Sequence, residues 1–167
     1  VTQAFDIAAS AQSGWDAVPP QGRAATLERA ADLIECERAA LMALLVREGG
    51  KCVPDADAEV REAADYCRYY AQLARAGLAR PKVLPGPTGE HNELQWHGRG
   101  VFACVSPWNF PLAIFTGQVV AALAAGNSVL AKPANQTPLI ARTAVRLLHQ
   151  AGIPPEVLHF LPGPSAR

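Results

Sequence analysis

The chain of 167 residues has a single methionine, Met42, only four cysteines and no net charge. Cys36, Cys52, Cys67 and Cys104 show neither Cys-x-x-Cys spacing nor a neighbouring histidine, which argues against a zinc site. Their settings read as reduced core thiols, not nucleophiles. Fifteen basic residues balance fifteen acidic ones without a basic stripe or acidic tail, so no nucleic-acid partner is indicated. The most apolar stretch, 112–125, includes Gln118 and falls short of the roughly 20 residues a membrane span needs. No signal-peptide pattern opens the chain, and together these absences read as cytoplasmic. No Gly-x-Gly-x-x-Gly follows a strand and there is no P-loop lysine, so any nucleotide would bind without the usual glycine fingerprint. The chain starts at Val1 and stops at Arg167, where an α/β fold would begin a helix. It therefore reads as a piece of a longer polypeptide.

Half of the residues are hydrophobic, enough for one real core. Leu27, Ala30, Ile34, Leu41 and Leu45 fall on one face of a helix that Gly49-Gly50 ends. A second helix starts after Pro54, with Asp55, Asp57 and Glu59 placing negative charge where the helix dipole favours it. Val60, Ala63, Cys67, Tyr70 and Ala74 form its buried stripe, and the pair reads as an antiparallel hairpin. Residues 1–76 are thus a helical layer. The prolines and glycines of 77–91 suggest an exposed connection or a hairpin turn, with a candidate edge strand at 92–97. From Gly100 the pattern is βαβαβ: strand 101–105, helix 111–125, strand 127–131, helix 137–151 and strand 157–161. Thr137-Pro138 looks like a capping hydroxyl followed by proline at the first helical position, and Gly152 with Pro154 like a stop.

Two motifs sit at the ends of the first two strands of that unit. Val105-Ser106-Pro107-Trp108-Asn109-Phe110-Pro111 leaves the first strand, and Lys132-Pro133-Ala134-Asn135-Gln136-Thr137-Pro138 leaves the second. Open parallel sheets bind ligands in the crevice outside such strand ends. The Asn109 amide, rigidly mounted between Trp108 and two prolines, can hold the oxyanion formed when a nucleophile attacks a carbonyl. It can equally make a local turn hydrogen bond. Lys132 can bond a ribose or phosphate in the crevice, or snorkel at the sheet margin. His91 and His97 read as surface residues, and Arg61 and Glu62 as a solvated helix face.

Residues 101–138 resemble the aldehyde dehydrogenase superfamily, whose members share a strand, a PWNFP turn and a KPxxxTP segment. The flanks, Glu59 to Ala71 and Phe110 to Gln118, resemble the aldehyde dehydrogenase half of the bacterial proline utilization A family. The resemblance runs from about Phe5 to Gly163. It implies an α/β fold, a helical hairpin on a partial Rossmann-like parallel sheet spanning 100–167, and an arm for a partner subunit in 77–99. It also implies an NAD(P)-dependent oxidation of L-glutamate γ-semialdehyde to L-glutamate in a homo-oligomer, with a proline dehydrogenase domain possible in the same parent chain. By that resemblance Asn109 is the catalytic oxyanion donor. Val105, Ser106, Pro107 and Trp108 line the nicotinamide-ribose side, Lys132 bonds the adenosine ribose, and Gly163 lies by the adenine. Phe110 sits beside the aldehyde's aliphatic chain, and Glu62 approaches its amino group. Where many NAD-preferring members have glutamate this chain has Asn135, which removes a charge that repels a 2′-phosphate. The family's catalytic cysteine, general-base glutamate and Gly-Ser-Thr turn match nothing in this chain, so the chain alone is expected to be inactive. Two alternatives remain: a non-catalytic nucleotide-binding or oligomerisation module of the same superfamily, or a dehydrogenase for another aldehyde such as succinate semialdehyde.

Overall fold

A computed structural model describes residues 1–164. Four helices come first: α1 (Thr2–Asp16), α2 (Pro20–Cys36), α3 (Arg38–Gly49) and α4 (Val53–Gly77). The single helix expected before Gly49-Gly50 is therefore two. The break falls at Glu37, whose φ of −90° and ψ of 10° leave the helical region. The buried stripe continues across the break, with Leu27, Ile34, Leu41 and Leu45 all out of water. Gly50 closes α3 in the left-handed conformation, φ 67°, as a glycine stop requires. Helix α2 packs along α4, so the expected pairing survives in a more elaborate layer. Burying a leucine such as Leu27 contributes about 1.5–3 kcal/mol, and trimming it to alanine would cost about 2–5 kcal/mol.

The connection is a two-stranded antiparallel hairpin, β1 (Lys82–Leu84) with β2 (Asn92–Leu94), exposed along most of its length. Beyond it lie β3 (Val101–Val105), α5 (Ala113–Ala124), β4 (Ser128–Lys132), α6 (Pro138–Ala151) and β5 (Leu158–Phe160). The three strands form one parallel sheet in the order β3-β4-β5. Right-handed crossovers put α5 and α6 on one face of it. Helix α1 packs on all three strands and meets α5 only where the Trp15 indole donates to Leu123 O, so it covers the other face. Strand β4 is consequently buried on both sides from Ser128 to Ala131, as a central parallel strand must be.

The helical layer does more than cover. Arg23, 3% exposed, donates to the carbonyls of Ala124, Asp16 and Val18, and Arg29 donates to Ala151 O. Each guanidinium therefore sits at the C-terminal end of a crossover helix, where the dipole favours positive charge. Desolvation lowers the Arg23 pKa from its ordinary value, partly offset by Asp16. Gly152, φ 113°, ends α6 as expected. Thr137 does not cap it: its Oγ1 is buried without a partner, and Leu139 and Ile140 donate instead to the Glu48 carboxylate of α3, each at 2.8 Å.

The expectation of four core cysteines holds for two. Cys67 and Cys104 are buried, whereas Cys36 and Cys52 stand at the ends of helices, in solvent. Among the described residues no helix is long and apolar enough to cross a membrane.

Candidate active site

The two motifs leave adjacent strand ends. Val105 pairs with Lys132 in the β3–β4 register, and the Ser106 N–H donates to Lys132 O at 3.2 Å. Beyond that bond the chain bends through Trp108, Asn109 and Phe110 before α5 begins at Ala113 rather than at Pro111. Val105, Trp108, Asn109 and Phe110 are exposed, while Ser106 and Pro111 are buried. The bonds that fix this turn pass through Ser106, Leu112 and Ala113, not through the Asn109 amide. The local turn bond allowed by the sequence is thus not what holds Asn109, which is exposed.

Leu112 offers no side chain to cap α5, and the structure supplies one from elsewhere. Glu59 of α4 is 1% exposed; its Oε1 accepts the N–H groups of Leu112 at 2.8 Å and Ala113 at 3.1 Å. Its Oε2 faces Lys51 Nζ at 2.7 Å, and that ammonium lies 4.1 Å above the centre of the Phe110 ring. The sequence places Glu59 with Asp55 and Asp57 on the first turn of its own helix, but α4 begins at Val53, only Asp55 lies in that turn, and Glu59 serves the terminus of α5 instead. The missed signal is its register: Ala56, Val60 and Ala63 around it are all buried, so a carboxylate there sits on the apolar stripe.

On the second strand end, Lys132 Nζ donates to Pro133 O at 3.1 Å. Pro133 lines a groove of about 320 Å³ with Asn135, Pro138, Pro162, Gly163 and Pro164. The structure therefore brings Asn135 and Gly163 together in one groove, and Lys132 is tied to its edge only through Pro133 O. Glu62 lies elsewhere, in a shallow cavity on α4 with Arg61, Asp65, Tyr66 and Tyr69 and with none of residues 105–110. There its charge pushes the Tyr66 hydroxyl pKa up, and the Tyr66 ring lies against Gly117 of α5.

A proline-walled groove suits a flat, largely apolar ring with polar groups at one edge, which is what an adenosine presents. The pyrophosphate of a dinucleotide is a different matter. Helix N-termini are ready anion sites, but the N-terminus of α5 is taken by Glu59 and that of α6 by Glu48. The N-termini of both crossover helices are thus occupied by carboxylates of the protein itself.

No cysteine here is a ready nucleophile in the crevice. Burial pushes the Cys67 thiol up to about 12 and that of Cys104 on β3 to about 11.

The parallel three-stranded sheet, crossed by helices and carrying its motifs at adjacent strand ends, defines an α/β protein. More particularly, the chain belongs to the aldehyde dehydrogenase family, whose profile matches residues 1–167. It is 53% identical over 163 residues to the bifunctional protein PutA of Klebsiella aerogenes, covering 98% of this chain and 11% of that protein. Against the 1-pyrroline-5-carboxylate dehydrogenase of Bacillus pumilus it is 42% identical over 164 residues, covering 98% of this chain and 32% of that one. The crystal structure of a bifunctional proline utilization A protein superposes with a TM-score of 0.95 at 57% identity, over 97% of this chain and 17% of that chain. A Thermus 1-pyrroline-5-carboxylate dehydrogenase with bound NAD gives 0.90 at 40% identity, over 96% and 31%. The chain thus spans 11% of the PutA relative and 32% of the single-function dehydrogenase.

Proposed function

We propose that this chain is part of an NAD(P)-dependent dehydrogenase that oxidises L-glutamate γ-semialdehyde to L-glutamate in proline catabolism. The observation that carries the reading is the adjacency of the two motif strand ends, with Asn109 beyond one and Lys132 closing the other. The similarity to PutA proteins and 1-pyrroline-5-carboxylate dehydrogenases supports the substrate. It also supports a parent enzyme that assembles as a homo-oligomer and is fused to a proline dehydrogenase domain. A cytoplasmic location agrees with the reduced thiols that this reading assumes.

In this reading the thiolate and the general base come from residues outside this chain. Asn109 donates its side-chain N–H to the oxygen of the attacked aldehyde, where negative charge develops as the carbonyl becomes tetrahedral. Phe110 packs beside the aldehyde's methylene groups. Glu62 serves the substrate amino group only if the tyrosine cavity on α4 opens toward the crevice. Lys132 and the proline groove hold the adenosine, and Val105 to Trp108 line the nicotinamide side. The nicotinamide, when bound, supplies the hydride acceptor.

The test is kinetic, in the intact enzyme, with NADH formation from the semialdehyde as readout. Asn109→Ala should lower kcat by about 10²–10³-fold, the usual loss of one oxyanion donor. An unchanged kcat would overturn the assignment of Asn109.

A further inference from the structure

The Glu59–Lys51 pair is built at a cost that a helix cap alone does not explain. Removing an ammonium and a carboxylate from water is costly before their attraction is counted. A local serine or aspartate before α5 would cap the helix without burying a charge pair. The chain instead sends a carboxylate from α4, a helix of 25 residues that packs along α5, and seats a lysine against it.

The geometry points to a positioning role: we propose that Glu59, with Lys51, holds the turn that carries Asn109 and so sets where the oxyanion-binding amide stands. The pair grips the turn at two points just downstream of Asn109. Glu59 Oε1 holds the N–H groups of Leu112 and Ala113 downstream, and Lys51 Nζ sits on the Phe110 ring, the residue next to Asn109. The Pro111 ring lies beside Gly49, which roots the same turn against the end of α3. Upstream, Ser106 N–H is tied to Lys132 O, so both stems of the turn are anchored. Between these anchors no strand or helix ladder holds residues 107 to 111. A catalytic donor must keep its place to within about 0.5 Å, and a misplacement of about 1 Å can cost about 10²-fold in rate. Glu59 touches no reacting atom; it acts through the backbone of α5.

This inference rests on the reading of Asn109 as the oxyanion donor, so the experiment is a double-mutant cycle in the intact enzyme. Glu59→Gln, Asn109→Ala and the double variant are compared for kcat and for KM of NAD and of the semialdehyde. Glu59→Gln retains an acceptor for the helix but removes the charge that holds Lys51. Expected is a fall in kcat of about 10-fold for Glu59→Gln, below the loss from a full misplacement, with the KM for NAD unchanged. The double variant should be no slower than Asn109→Ala alone, because an amide that is gone cannot be misplaced. A purely structural loss would instead multiply in the double variant, and that result overturns the proposal, as does an unchanged kcat for Glu59→Gln. If Asn109→Ala itself leaves kcat intact, the oxyanion reading falls and the positioning role falls with it. Should Glu59→Gln not fold, Glu59→Asp, which keeps the charge but shortens the reach, enters the same cycle and is judged by the same non-additivity.

Discussion

Glu59 and Leu112 stand 53 residues apart in the chain and are joined by a 2.8 Å hydrogen bond, carboxylate oxygen to backbone N–H, in the protein interior. Glu48 and Ile140, 92 residues apart, repeat the arrangement one crossover later. At the far ends of the same helices Arg23 bonds Ala124 O and Arg29 bonds Ala151 O. Both crossover helices therefore take an acid at the N-terminus and a base at the C-terminus from the helical layer, each sign matching the helix dipole.

Arg23 is the sharpest test of that arrangement for stability. Arg23→Met keeps much of the side-chain volume and strips the donors from three carbonyls, those of Asp16, Val18 and Ala124. Leaving a buried acceptor unpaired costs about 1–3 kcal/mol, and of the three the bond to Ala124 O is the buried one while those to Asp16 and Val18 are part-buried. The variant should lose at least about 2 kcal/mol in denaturant unfolding; a loss below about 0.5 kcal/mol would show that water replaces the guanidinium without penalty.

The cysteines should divide into two pairs. At pH 8 a thiol reagent should modify the exposed Cys36 and Cys52 quickly, and Cys67 and Cys104 only after unfolding. The same burial gives an alkaline limb to stability. The ordinary thiol value of 9.0 is pushed up to about 12 for Cys67 and to about 11 for Cys104. Above pH 9 the unfolded chain loses these protons while the folded protein keeps them, so stability falls as pH rises from about 9 to about 12. Unfolding measured at several pH values should show a shallower alkaline slope for Cys67→Ala than for the unaltered chain. Equal slopes would mean that Cys67 ionises alike in both states.

Asn135 lines the proline groove with Gly163 and brings no charge to it. In the intact enzyme Asn135→Glu should shift preference toward NAD by about 10-fold or more, since a carboxylate repels a 2′-phosphate and accepts from a 2′-hydroxyl. The ratio of kcat/KM for NAD and NADP measures it. If selectivity stays where it was, the ribose hydroxyls lie away from residue 135.

Thr137 supplies a test in the opposite direction. Its hydroxyl is buried without a partner while Glu48 does the capping, so Thr137→Val removes an unsatisfied polar atom at nearly constant shape. The thermal midpoint should hold or rise, by up to about 1 kcal/mol in stability. A drop of that size would reveal an acceptor for the hydroxyl.

These tests follow the line between what local sequence reveals and what it does not. Strand ends at Val105 and Lys132, the stop at Gly152 and the crevice motif were all legible, because apolar runs and turn residues act within a few positions. The break at Glu37 was not, since the apolar stripe runs on through it and only the backbone turns. The caps were misread for a deeper reason. Thr137-Pro138 carries the local signal for a side-chain cap, yet the tertiary fold delivers Glu48 and buries the hydroxyl. Glu59 carries the local signal for charge on the first turn of its own helix, and only the buried Ala56, Val60 and Ala63 around it hint that it points inward. Of the candidate site, the residues of the proline-lined groove and of the asparagine turn were visible, whereas the ion pair beneath the turn depended on packing between α4 and α5.

The exposed hairpin formed by residues 82–94 separates two halves that complete each other's hydrogen bonding. Because the charged side chains at the ends of α5 and α6 come from before the hairpin, a chain nicked at its tip, near Gly89, leaves two polypeptides with matching unsatisfied polar groups. Neither can bury its share of the interface alone without stranding charges or helix ends. The fold is in effect a split protein held by one strap, whose halves select each other through paired charges and helix termini as well as through apolar area.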